Sequence, residues 1–329
     1  MILVVSEKND QSTYEVMQWL KRYNVPHFRI NGEDVLNIKM LDLNKEVILD
    51  VQGNEIPLSK VSVLWYRRGS FNFRKSVAEN YEGIIDTESK VLNNYLFKYL
   101  DTKKHCLNNF LYAFVNKLYV LELAQDAGLN IPRTFVTGNK GYALDYLKNE
   151  REVITKIMGS QFLIRNTGTI KMAYTEQVSD QDINGFADSF FPSLLQKRIS
   201  KRYEIRAFYF DGRFYSMAIL SQGNKKTETD YRKYDHELPN RAIPYQLPGE
   251  VEDRLKVVFT KLNLNSGSAD LILDNNHHYI FLEINPIGQF GMVSKPCNYH
   301  LEKKLANHLI NHGAEYDVTL NEGHRCKGK

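Results

Sequence analysis

The sequence predicts an α/β protein of two or three domains, and three observations carry that reading. The chain has 329 residues, beyond the roughly 100–200 of one ordinary domain. Short apolar runs of strand length alternate with segments whose apolar residues recur at helical spacing. Hydrophobic residues make up 43% and charged residues 25%, a globular balance that excludes a disordered, collagenous or coiled-coil chain.

The elements follow in order. Residues 2–5 form an apolar strand. Residues 14–23 carry Val16, Trp19, Leu20 and Tyr23 at helical spacing, and Pro26 stops that helix before a second strand at 27–30. Residues 47–51 and 55–58 flank Gln52-Gly53-Asn54, a hairpin signal. A strand at 61–66 runs into Arg67-Arg68-Gly69, and 76–100 reads as a long helix.

A second unit opens near residue 105. Residues 109–126 read as a helix closed by Gly128, with Pro132 beyond. Strands are expected at 131–136, 153–157, 162–165 and 171–177, and a helix at 142–149. In the third unit, 193–199 and 203–210 read as strands, and Asp211-Gly212 turns the latter into 213–220. The polar stretch 221–248 is long for a loop in a compact domain, hence a functional loop. A helix at 251–262 precedes strands at 269–273 and 279–284. Leu301, Leu305 and Leu309 mark a last helix, and the tail from about Asn311 reads as loosely ordered. The expected division is 1–104, 105–192, 193–312 and a polar tail 313–329.

Composition narrows the function. Forty-three Lys and Arg against 39 Asp and Glu leave a net charge of +4, too mild for a nucleic-acid binder without a basic stripe. Three cysteines at wide spacing exclude a disulfide framework and fit a reducing cytoplasm. The apolar opening meets Glu7, Lys8 and Asp10 at once, unlike a signal peptide. No run reaches the roughly 18 apolar residues of a spanning helix. The expectation is a soluble cytoplasmic protein with no membrane or nucleic-acid partner.

The chemistry concentrates near the end. Asp270 precedes a turn, and Glu283 and Asn285 follow it. Antiparallel strands joined by that turn bring Asp270 beside Glu283, and the i, i+2 spacing puts Glu283 and Asn285 on one face. Two carboxylates and an amide oxygen suit Mg²⁺, a hard ion that shares its ligands with phosphates. Asp270 alone would read as a solvated sheet residue. The full pattern, embedded in apolar strands and closed by Pro286, favours the metal.

With these residues in view, the chain resembles the ATP-grasp ligases over nearly its whole length. It is most similar to the graspetide branch, the microviridin-type, omega-ester-forming peptide maturases, and among them to the grasp-with-spasm group. The blocks that carry the likeness are Trp65-Tyr-Arg-Arg-Gly69, Gln196-Lys-Arg-Ile199 running into Glu204-Ile-Arg206, Asp230-Tyr-Arg232, and Glu283-Ile-Asn-Pro286 running into Gly288-Gln-Phe-Gly291. The implied architecture is an N-terminal α/β pre-ATP-grasp domain followed by two α+β subdomains clamping ATP.

The resemblance also implies roles. Lys117 and Lys156 would contact ATP phosphates, a role that suits compact ammonium charges. Lys156 has the better claim, because an unpaired charge in an apolar strand is costly. Gln196, Lys197 and Ile199 fall on the hinge whose backbone meets the adenine. Glu204 takes the ribose position; its ordinary alternative is a surface pair with Arg202. Arg206 faces the same way, and its guanidinium fork can hold the transferring phosphoryl group. Asp270, Glu283 and Asn285 would hold two Mg²⁺ ions. Ser268 stands where some free-amino-acid ligases of the superfamily have an Arg, which weakens the case for a small amino-acid substrate. Arg232 and Arg241, on or near the long loop, would then be the residues to grip an acidic peptide side chain, Arg232 first.

The expected reaction phosphorylates an Asp or Glu side chain of a ribosomally made precursor peptide, with a leader and a Thr- and Asp/Glu-rich core. A Thr or Ser hydroxyl then displaces phosphate to close a side-chain ester; a Lys would give an amide, and the residues do not separate the two. The leader would bind the central unit near residues 160–190, through strand addition or a groove for a helix. A homodimer stays open. The rival enzyme is an ATP-grasp ligase that adds a free amino acid to a protein terminus or small molecule. A peptide-binding module without turnover has no need of the metal carboxylates.

Overall fold

The computed structural model describes residues 1–75, 81–150, 152–159, 163–166, 169–172, 175–220 and 240–325. They fall into two compact units. The first comprises Met1–Phe114 with Leu264–Ser266 and Pro286–Lys329, the second Val115–Asn263 with Gly267–Asn285.

Strand β1 (Ile2–Ser6) is buried throughout, and helix α1 (Gln11–Arg22) starts where the Asp10 side chain accepts the Thr13 N–H at 2.8 Å. β2 (His27–Asn31), β3 (Val35–Leu41), β4 (Val47–Val51) and β5 (Asn54–Pro57) follow. The β4–β5 loop is the two-residue turn Gln52-Gly53, both at positive φ (52° and 85°). That is the primed turn geometry that matches strand twist. β6 (Val63–Tyr66), β7 (Asn72–Phe73), α2 (Glu82–Lys103) and β8 (His105–Leu107) complete this run.

The segment expected as one helix from 109 to 126 is interrupted. Asn109 caps a short 3-10 turn, Phe110–Tyr112, and Asn116 caps α3 (Lys117–Asp126), accepting from the Leu118 and Tyr119 N–H groups. Asn side chains compete for backbone donors and start helices rather than continue them. Lys117 is therefore the first residue of its helix.

β9 (Thr134–Asn139), α4 (Lys140–Asn149), β10 (Val153–Thr155), β11 (Leu163–Asn166), β12 (Thr169–Met172), β13 (Glu176–Val178), α5 (Asp180–Asn184) and β14 (Ser189–Lys197) come next. The single strand expected at 171–177 is thus two. β15 (Lys201–Phe210) and β16 (Arg213–Leu220) pair across Asp211-Gly212, again at positive φ (53° and 73°). β17 (Arg241–Tyr245) lies inside the stretch expected as loop. α6 (Gly249–Lys261), β18 (Ser266–Asp274), β19 (Tyr279–Asn285), α7 (Gly291–Ser294) and α8 (Leu301–Arg325) end the chain. α8 continues past Asn311, where a loose tail was expected, since extending a formed helix costs far less than starting one.

In the first unit a parallel sheet has the order β2-β1-β6-β8, beside a second sheet β5-β4-β3-β7. Its core includes Leu3, Val5, Leu64, Tyr66 and Leu100, and Phe97 stacks between Phe71 at 4.6 Å and Phe110 at 4.7 Å. The second unit holds a sheet β13-β10-β14-β9, a two-stranded ribbon β11-β12 and a five-stranded sheet β17-β16-β15-β18-β19. α6 buries Val251, Leu255, Val258 and Phe259, the last packed on Tyr209 of β15 at 4.7 Å. β14 and β15 belong to different sheets, with Arg198, Ile199 and Ser200 between them.

Candidate active site

The β18–β19 hairpin pairs Ser268 with Asn285, Ala269 with Ile284 and Asp270 with Glu283. Directly opposed residues share a face, as do residues two apart. Asp270, Glu283 and Asn285 therefore present their side chains together, while Ala269 and Ile284 are buried on the other side. A register shift follows immediately between Asp270 and Leu271, the kind of local irregularity that re-aims side chains beside active sites. Hard oxygen donors gathered this way fit Mg²⁺.

Each carboxylate already meets a cation. Arg206, on the neighbouring strand β15, places Nη1 3.4 Å from the Asp270 carboxylate. Its side chain is 5% exposed and that of Asp270 18%. Lys117 places Nζ 3.2 Å from Glu283 Oε2 and donates to the Ile157 carbonyl at 3.5 Å. Ile157 follows Lys156, so one expected phosphate-binding lysine touches the segment that carries the other. Lys156 is half-buried and lies one residue past the end of β10, not within a strand.

The expected hinge residues have structural partners. Gln196 is buried at the centre of its sheet and its Nε2 donates to Thr134 Oγ1 at 2.8 Å. Lys197 donates its N–H to the Arg133 carbonyl and pairs with Glu150 at 3.1 Å. Burial raises the Glu150 carboxyl pKa, but hydrogen bonds and charge from Arg133 and Lys197 hold it below its ordinary value. Ile199 is half-buried in the link after β14. Glu204 sits two residues before Arg206 on the same face and pairs with Lys201, not with Arg202, which meets His277 at 3.2 Å. Lys201 is 5% exposed; it stands two residues before the strand expected at 203–210, where no sequence pattern marks it. Arg232 and the rest of Asp230-Tyr-Arg232 lie outside the described residues.

The Arg67-Arg68 block belongs to the first unit. β1 leads through α1 to β2 on one side, while β6 leads to β8 on the other. The chain thus diverges at the carboxyl ends of β1 and β6, where open α/β sheets form their crevices. An open cleft of about 270 Å³ lies there, lined by Glu7, Asp10, Arg67, Arg68, Gln289 and Met292 among others. Arg67 itself is buried. Its Nη1 donates to the Ile287 carbonyl at 2.5 Å and the Gly288 carbonyl at 3.0 Å, and Nη2 lies 3.5 Å from Asp10. Gly288 has a positive φ of 58°, and a Cβ on Gly291 would come within 2.9 Å of Ser12 Oγ. Arg67 therefore organises the stretch that follows Asn285, and Arg68 is the basic group left partly exposed, at 34%.

Comparisons with known proteins agree with this architecture. Residues 1–111 match the family described as MvdD pre-ATP grasp domain. A search of curated proteins finds no match. Among solved structures, a Chryseobacterium gregarium RiPP-associated ATP-grasp ligase in complex with ADP and a leader and core peptide superposes with TM-score 0.80 at 24% identity, covering 94% of this chain and 96% of its own. The macrocyclase MdnC of Microcystis aeruginosa, bound with precursor peptide MdnA, gives 0.78 at 22% identity, covering 94% and 100%. The ATP-grasp ligase PsnB with minimal precursor, Mg and ADP gives 0.72 at 16%, covering 95% and 98%. The chain has the ATP-grasp fold, opened by a pre-ATP-grasp domain of the MvdD kind.

Proposed function

We propose that the chain is an ATP-dependent carboxylate ligase that macrocyclises a ribosomally made precursor peptide, joining Asp or Glu side chains to Thr or Ser hydroxyls as esters. The observation that carries this reading is the opposed pair Asp270 and Glu283, with Asn285 on their face and Arg206 and Lys117 upon them. The full-length likeness to peptide-bound ligases supports the same substrate class.

Asp270, Glu283 and Asn285 would hold Mg²⁺, two ions in this reading, and the metal would supply charge neutralisation between ATP phosphates. Lys117 and Lys156 add positive charge for the phosphates. The backbone from Gln196 to Ile199 takes the adenine and Glu204 the ribose. A substrate carboxylate oxygen bonds to the γ-phosphorus as its bond to ADP breaks, giving an acyl phosphate. The hydroxyl oxygen then bonds to the acyl carbon, phosphate leaves with the C–O electron pair, and the hydroxyl proton is released. Arg206 orients the phosphoryl oxygens, and positioning of this kind is most of what such a site supplies. Arg232 grips the acidic side chain. The leader docks on the central part of the chain, near residues 160–190. No described helix is long and apolar enough to cross a membrane, and the free Cys106 and Cys297 suit a reducing cytoplasm.

Mass measurement of a Thr- and Asp/Glu-rich precursor incubated with the protein, ATP and Mg²⁺ tests this. Loss of one water per ring with ADP release is expected, and mild alkali should reopen the rings, since esters hydrolyse where amides persist. Mass gain from an added amino acid would replace cyclisation with the rival ligase reading, and an unchanged mass without ADP release would leave a binding module.

A further inference from the structure

Away from these residues, the first unit gathers three imidazoles. His105 opens β8, and His308 and His312 lie one turn apart on α8. His105 Nε2 is 3.3 Å from His308 Nε2. The His105 and His312 rings stack at 3.8 Å, and the His308 and His312 centroids are 4.3 Å apart. One ligand nitrogen from each residue lies within 4.8 Å of the others. All three are half-buried, so solvent reaches the cluster.

We propose that His105, His308 and His312 form a binding site for a first-row divalent transition ion, Zn²⁺ in particular, that fastens α8 to β8. The donor set selects the class: imidazole nitrogen suits Zn²⁺ and its neighbours, whereas Mg²⁺ and Ca²⁺ take oxygen. Spacing agrees. Two nitrogens bound tetrahedrally at about 2.0–2.1 Å lie roughly 3.3–3.4 Å apart, and the His105–His308 separation is already 3.3 Å. His312 sits four residues beyond His308, the helical spacing that puts two side chains on one face. It needs a side-chain rotation out of the ring stack to aim its nitrogen at the same point. A solvent water completes the coordination.

The backbone is placed to hold this geometry. Leu301, Leu305, Ala306 and Leu309 are buried under α8. Gly313, next to His312, brings the helix so close to β6 that a Cβ there would already touch Ser62 and Val63, at 3.6 and 3.8 Å. The ion would act as a clasp between elements separated by some 200 residues of chain (His105 and His308 are 203 apart), and it takes no part in the ligase chemistry.

The test uses the untagged full chain, stripped of metal and held in excess Mg²⁺ so that oxygen sites are occupied. Titration with Co²⁺ should give one equivalent with the visible absorption of a four-coordinate ion, displaced by Zn²⁺, and Zn²⁺ should raise the unfolding midpoint by mass action. His308→Ala with His312→Ala should weaken binding on the order of a hundredfold or more, while unfolding without metal stays cooperative. If that double variant fails to fold, His105→Asn must show the same loss. A flat Co²⁺ titration of the wild type, as expected for imidazoles held merely by stacking and one N–H···N bond, overturns the site. So does equal-affinity binding by the variants.

Discussion

Asp270 faces Glu283 across the β18–β19 hairpin, and the two carboxylates are neutralised by different elements, Asp270 by Arg206 of β15 and Glu283 by Lys117 at the start of α3. Each carboxylate thus has a basic partner, and under the proposed function Mg-ATP would bind by an exchange of these partners.

Asp270→Asn or Glu283→Gln should keep the fold and lower ADP release at saturating Mg²⁺ by on the order of a hundredfold or more, since several kcal/mol of metal-borne charge stabilisation are lost. Steady-state ADP release with circular dichroism as a folding control measures this. Wild-type turnover in either variant would remove the metal assignment.

Arg232→Ala should cut cyclisation about tenfold to a hundredfold while ATP affinity stays nearly unchanged. A charged hydrogen bond of this kind is worth roughly 1.5–3 kcal/mol. Lys should rescue poorly, because a point charge cannot reproduce the fork. Equal and non-additive losses in Asp230→Ala and Arg232→Ala would instead mean that the pair simply pins its loop.

Arg67→Met leaves Asp10 without its buried partner and takes one donor from each of the Ile287 and Gly288 carbonyls, the latter keeping the Phe290 N–H. Breaking a buried ion pair costs about 3–5 kcal/mol, so urea unfolding should show a loss of that order. Asp10 is held below its ordinary carboxyl pKa: burial raises it, but Arg67, the Thr13 hydrogen bonds and Arg68 outweigh that. Its contribution is therefore present above the unfolded value of about 3.9 and lost as pH falls through the lower folded value. Acid unfolding below about pH 4 should be blunter in Asp10→Asn than in the wild type.

His105 runs the opposite way from a histidine with an acidic partner. Its folded pKa of about 4 lies below the ordinary 6.5. The unfolded chain binds the extra proton between those values, so stability should rise with pH from about 4 to 6.5 and level off above. Metal-free His105→Asn should flatten that slope in chemical denaturation. An unchanged slope would mean that the ring titrates normally in the folded chain.

Much of this was legible locally. Turns such as Gln52-Gly53 and Asp211-Gly212 declare their hairpins through residues that accept positive φ, and Glu283 and Asn285 share a face because strands alternate. What escaped was either short or non-local. β8 spans three residues, and β17 is an edge strand with little burial that contains Pro244, so neither shows an apolar alternation. The break at Asn116 depends on a side chain capturing backbone donors, against an apolar periodicity that runs straight through it. Arg206 meets Asp270 because β15 lies beside β18, an ordering of strands that spacing along the chain does not encode. The same is true of the three histidines, although His308 and His312 alone carry the i, i+4 signal.

The crossing from β14 to β15 is three residues long, Arg198, Ile199 and Ser200. Arg198 is moored to Glu152 by its N–H at 2.9 Å and its guanidinium at 3.1 Å. Twisting along this crossing must therefore be absorbed by the φ and ψ of Ile199 and Ser200, the soft dihedrals of the backbone. The compliance of the whole crossing is thereby set by two uncharged residues. Ser200→Pro, which locks one of those angles, would stiffen it without altering a single charge.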